Sequence, residues 1–97
     1  MSLENLDDLF FHELRDVLDA ERQLLKALPK LAKTAESEAL KAAFVEHIGV
    51  TEGQVARLET IFKSLDKAAR GKHCAGMEGL IKEGEELIKE EVPSPQL

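Results

Sequence analysis

Two long stretches carry apolar residues at steps of three and four, the period of a helix with one buried face. The first stripe runs Leu3, Leu6, Phe10, Leu14, Val17, Leu18, Leu24, Leu25, Leu28 and Leu31. Ser2 or Asn5 is its candidate cap, Asp7 and Asp8 suit the positive end of the helix dipole, and Lys30 and Lys33 suit the negative end. Pro29 sits inside the stripe and predicts a bend in the last turns rather than a stop, because Leu31 and Ala32 keep the period. Thr34-Ala35-Glu36-Ser37 breaks the pattern, with Ser37 as the next cap. The second stripe runs Leu40, Phe44, His47, Thr51, Gln54, Leu58, Ile61 and Leu65, with Ile48, Val55 and Phe62 beside it. Gly49 and Gly53 interrupt it, at about 1 kcal/mol each relative to alanine, and their spacing suggests the close approach of another backbone or side chain. A polar connector, Asp66 to Gly76, leads to a third helix with Met77, Leu80, Ile81, Leu87 and Ile88 on one side, ending by Glu91. Residues 92–97, Val-Pro-Ser-Pro-Gln-Leu, read as a frayed tail.

The pattern predicts an all-α chain, a long antiparallel hairpin plus a shorter third helix. At 97 residues there is room for one domain, 1–97, and a hairpin of two amphipathic helices leaves part of each stripe uncovered. The third helix is short and covers only some of it. The expected remedy is a homodimer, two hairpins closing a four-helix bundle. A net charge of −6 with no basic stripe argues against nucleic acid as a partner. No apolar run has the length of a membrane span, and the N-terminus lacks the basic start and apolar core of a signal peptide. The single cysteine, Cys74, gives no internal disulfide and fits a reducing compartment. A cytoplasmic location is expected.

The stripes fail in one place. Leu14, Glu21 and Leu28 are seven apart, so Glu21 holds a stripe position, and His47, Thr51 and Gln54 hold three on the second helix. With the hairpin turning near 35–36, Glu21 faces residue 50, and His47 and Gln54 lie only about 4–6 Å above and below that level. Four polar side chains in one core layer are costly unless they pair or bind something. One reading is a metal site. Carboxylate and imidazole suit iron, manganese or zinc, and a symmetric dimer doubles Glu21 and His47 near its axis. The other reading is a hydrogen-bonded layer, His47 to Glu21 with Thr51 and Gln54 filling in, which fixes helix register. His12 is expected at the surface. His73-Cys74 has no second pair at zinc-ligand spacing.

The run Leu9-Phe10-Phe11-His12-Glu13-Leu14-Arg15-Asp16-Val17-Leu18-Asp19-Ala20-Glu21-Arg22-Gln23-Leu24-Leu25-Lys26-Ala27-Leu28-Pro29-Lys30 is specific. It resembles the start of the ferritin-like Yci-type bacterial stress proteins, long catalogued as a domain of unknown function. Leu40-Lys41-Ala42-Ala43-Phe44, His47, Thr51–Glu59 and Gly71–Ile81 agree, so the resemblance runs from about residue 6 to residue 91. It implies a ferritin-like bundle. Members of that family continue into two more long helices, where this chain stops at Pro93-Ser94-Pro95. The Glu-x-x-His pair of ferritins is replaced by Thr51-Glu52-Gly53-Gln54. Two functions are therefore expected to compete. One is stress-linked iron handling of ferroxidase type, with Glu21 and His47 as ligands and Gln54 and Thr51 as weaker ones. The other is a non-catalytic helical oligomerisation protein with a purely structural polar layer.

Overall fold

The computed structural model describes residues 5–90, with side chains through Leu87. Leu3, the alternative cap Ser2, the side chain of Ile88 and the tail over 92–97 lie outside the described residues. Helix α1 spans Leu6–Thr34. Asn5 is its cap, and the Asn5 Oδ1 accepts the Asp8 N–H at 2.8 Å. The helix continues through Pro29 to Thr34, so the missing proline N–H does not end it. After a three-residue link α2 begins, spanning Glu38–Ser64, with the Ser37 side chain accepting from the Leu40 N–H. So short a link makes the two helices antiparallel neighbours.

The end of α2 is set by local chemistry. Lys67 N–H bonds to the Phe62 carbonyl and Asp66 N–H to the Lys63 carbonyl, both at 3.0 Å, the paired bonds of a Schellman cap. The residue that must turn left-handed there is Asp66, at φ 61°, where glycine has no Cβ penalty. Asp66→Gly is expected to raise stability by about 1 kcal/mol, read as a higher urea midpoint with an unchanged m-value. A lower midpoint would show that the aspartate side chain is needed there.

The hairpin core is Leu18, Val55 and Phe62, with Phe11, Leu14, Leu25, Leu58 and Ala69 packed against it. Phe11 and Phe62 meet edge to face with ring centroids 5.5 Å apart, the arrangement their quadrupoles favour. Nearer the turn, Ala27, Leu28, Leu31 and Ala35 are buried. Helix α3 spans Ala75–Glu90, starting two residues earlier than the periodicity suggested. It packs on α1 alone, and among the described residues it does not reach α2.

This placement decides the shape. The chain is elongated, 54 × 23 × 15 Å. A compact chain of this length would have a radius of gyration of about 12.5 Å; here it is 16.5 Å. The groove between α1 and α2 thus stays open, lined by Val17, Glu21, Gln54, Arg57, Leu58 and Ile61. Phe10 is 58%, Val17 42% and Ile61 39% exposed. Of the partial cover expected from the third helix, α1 receives contacts and α2 receives none among the described residues. The glycines also differ from expectation: among the described residues, nothing beyond the helix's own neighbouring backbone lies within 4 Å of where a Gly49 Cβ would stand, and only the Arg57 guanidinium comes near Gly53.

Candidate functional site

Glu21 on α1 and Gln54 on α2 meet in the open groove. With the Gln54 amide oriented so that its nitrogen faces the carboxylate, it donates to Glu21 Oε1 at 3.0 Å and Oε2 at 3.3 Å. Thr51, one turn earlier, is fully buried at 0% exposure, and its Oγ1 has no hydrogen-bond partner among the described residues. His47 is exposed. So the layer forms in part: Glu21 and Gln54 pair, Thr51 turns inward, and His47 stands out toward solvent.

The reason is the direction in which helical side chains lean. Each Cβ tilts toward its helix N-terminus, so in antiparallel neighbours the tilts oppose. Glu21 leans away from the hairpin turn, and side chains of α2 lean toward it. With the turn centred on residue 36, Glu21 is level with residue 51, yet its carboxylate meets Gln54, whose backbone lies farther from the turn. His47 starts about 6 Å on the turn side of that level and leans farther that way. Among the described residues, no three His, Cys, Asp or Glu side chains gather closely enough to hold a metal ion.

The orphaned Thr51 hydroxyl gives a simple prediction. Removing a buried, unpaired polar group while keeping the shape is stabilising, so Thr51→Val should gain about 1 kcal/mol in a thermal unfolding scan. A loss of stability would mean that the hydroxyl has a partner in solution.

A second cluster lies on the polar side of α1, where the connector is fastened. Arg15 Nε donates to the Arg70 carbonyl at 3.2 Å, and Lys72 N–H donates to the Arg15 carbonyl at 3.1 Å. Arg22 donates to the Ala69 carbonyl at 3.3 Å and pairs with Glu59 at 3.0 Å. Asp19 Oδ2 accepts the Cys74 N–H at 2.8 Å and the Gln23 amide at 2.7 Å. Gln23 also donates to the Cys74 carbonyl at 2.9 Å, and Cys74 is the residue from which α3 starts. Gly71 crosses so closely that a Cβ there would stand 3.0 Å from Asp19 Cβ and 3.2 Å from its backbone. His12, expected at the surface, is half-buried: its Nε2 lies 3.2 Å from Lys72 Nζ and its Nδ1 is buried.

The electrostatics of this clasp are legible. The hydrogen bond from Gln23 does most to hold the Asp19 carboxyl below its ordinary pKa; burial opposes it, and the Cys74 N–H, His73 and Arg22 assist. The hydrogen bond to Glu78, 2.9 Å away, does most to raise the His73 pKa, with burial opposing and Asp19 adding to it. The two carboxylates face opposite ring nitrogens, with Asp19 Oδ2 3.9 Å from Nδ1. That is an ion-pair bridge and not a chelate. Arg15, Asp19, Arg22 and Gln23 were readable only as a solvated polar face; their spacing of three and four along one side of a buried helix was the available signal.

Comparison with known proteins adds the family. A family model described as a domain of unknown function (DUF892) matches residues 5–97. Protein YciF of Escherichia coli K12 is 41% identical over 91 residues, covering 92% of this chain and 54% of that protein. The solved structure of YcfI from Rhodopseudomonas palustris superposes with a TM-score of 0.87 at 36% identity, covering 94% of this chain and 58% of that one. The crystal structure of the E. coli stress protein YciF gives 0.83 at 36% identity, over 95% of this chain and 58% of that one. This chain spans a little over half the length of these relatives. The helical hairpin, the seated connector and the family match over nearly every residue agree that the chain belongs to the DUF892 family, with the Yci-type proteins.

Proposed function

We propose that this chain is a stress-associated helical assembly protein whose working form is a four-helix bundle made from two copies. The observation that carries the reading is the open α1–α2 groove, with Val17 and Ile61 exposed around Glu21 and Gln54. A core face left in water is a site for association. The association with stress comes from the relative described as a stress protein. A single cysteine suits a cytoplasmic, reducing setting, and no helix among the described residues is long and apolar enough to cross a membrane.

The test is to charge the face without touching the hairpin core. Val17→Lys with Ile61→Glu should give a monomer that keeps the far-UV helicity of the wild type. A variant that still associates as the wild type does would end the reading.

The Thr51 hydroxyl, fully buried and without a partner among the described residues, favours a second reading, in which the paired layer takes up iron(II), manganese or zinc. Within one chain Glu21, His47, Thr51 and Gln54 do not form a chelate. Two copies would supply two carboxylates and two imidazoles, the donor set for ferroxidase-type oxidation of iron(II). Elemental analysis of protein purified without chelator tests this. Metal at one or two equivalents per pair, lost in Glu21→Ala, supports the reading. Metal far below one equivalent, unchanged in Glu21→Ala, removes it.

A further inference from the structure

The Glu21 carboxylate has only a neutral amide beside it. Gln54 donates to both of its oxygens, and among the described residues no cation stands within ion-pair distance of it. The same groove holds a cation with no carboxylate partner among the described residues. Arg57 lines it with Glu21 and Gln54, folded back so that its guanidinium nitrogens lie 3.8 and 4.0 Å from where a Gly53 Cβ would stand. One face therefore presents an anion and a cation that do not meet within the chain. Covering that face with apolar surface alone would seal in two unpaired charges, a severe cost. A second copy of the same face offers each charge its opposite.

We propose that in the paired form the partner's Arg57 is the counter-ion of Glu21, twice, by symmetry. The proposal rests on the two-copy reading above and names the contact that holds it in register. A two-fold axis parallel to the helices makes every neighbour antiparallel, as an up-down bundle requires, and sets α1 across from α2 of the second copy. Such an axis preserves height, so groups at neighbouring levels of one hairpin stay so across the interface. Arg57 starts six residues, about 9 Å of rise, farther from the hairpin turn than Glu21. It leans back toward the turn while Glu21 leans away from it, and the long guanidinium stem closes the gap from both sides. This layer is thus filled by two guanidinium–carboxylate pairs and two amides rather than by a metal ion.

Charge exchange tests the contact. The dimer dissociation constant of the whole chain is measured by sedimentation for wild type, Glu21→Arg, Arg57→Glu and the double variant, each checked for wild-type helicity. Arg57 is exposed, so its replacement leaves the hairpin core alone; Arg57→Gln serves as a milder second variant. Each single exchange should weaken the dimer at least about tenfold, and the double variant should recover most of that loss. Single variants that pair as well as wild type, or a double variant no better than the worse single, overturn the proposal. So does a wild-type dimer that falls apart in chelator, which places a metal in the layer. A wild type that never pairs refutes the two-copy reading itself and is told apart from these results at once.

Discussion

Phe62→Ala should remove about half of this protein's stability. Phe62 is fully buried at 0% exposure, packs with Leu18 and Val55 at the centre of the hairpin core, and meets Phe11 edge to face at 5.5 Å. Its carbonyl also anchors the Schellman cap, a backbone contact that survives the substitution. Deleting a buried phenyl costs about 3–5 kcal/mol, in lost transfer energy and in the cavity left behind. A domain of this size holds roughly 5–10 kcal/mol in all. Urea unfolding followed by circular dichroism should show a midpoint lowered to about half of its wild-type value. Loss of under about 1 kcal/mol, the range of conservative core changes, would show that the Phe62 pocket is not the centre of the core.

Asp19→Ala should release the connector and loosen α3. The Asp19 carboxylate holds the Cys74 N–H at 2.8 Å and the Gln23 amide at 2.7 Å, and a hydrogen bond to a charged group contributes about 1.5–3 kcal/mol. Because α3 packs on α1 alone, the connector is its main fastening at the N-terminal end. Amides at the start of α3 should exchange with solvent faster in Asp19→Ala, while those of Val55 and Phe62 change little. Gly71→Ala should act the same way by forcing a Cβ against the Asp19 backbone. Uniform loss of protection through all three helices would contradict a local clasp.

The clasp also has a pH signature with a definite sign. Asp19 has a lowered pKa in the folded chain, so its contribution is whole above the unfolded value and is lost as pH falls through the lowered one. His73 has a raised pKa, so its contribution is whole below the unfolded value and is lost as pH rises through the raised one. Both are complete only between about pH 4 and pH 6.5. Protection of the first turn of α3 should peak in that window, and His73→Gln should flatten its alkaline side.

Much of this was written in the apolar period. The steps of Leu14, Leu18 and Leu25 and of Val55, Leu58 and Phe62 place the hairpin, and Asn5 and Ser37 mark its starts. Level counting is coarser than the pairing it was asked to resolve: it set residue 50 opposite Glu21, but side-chain tilt carries the contact to Gln54 and leaves His47 apart. The connector was the larger omission. Arg15, Asp19, Arg22 and Gln23 look in sequence like any solvated helix face, because their partners are the backbone carbonyls of Ala69, Arg70 and Cys74 and the Cys74 N–H. Backbone groups have no sequence signature. Much of the family-like run in α1 thus serves to seat a loop, beside the one carboxylate that enters the groove.

The central claim is that the open groove closes on a second copy, and sedimentation equilibrium reads it directly. The chain has neither Trp nor Tyr, so interference optics must follow it. At micromolar concentration the expected mass is twice the 10.8 kDa of one chain. A mass of 10.8 kDa that persists as the concentration is raised would contradict it.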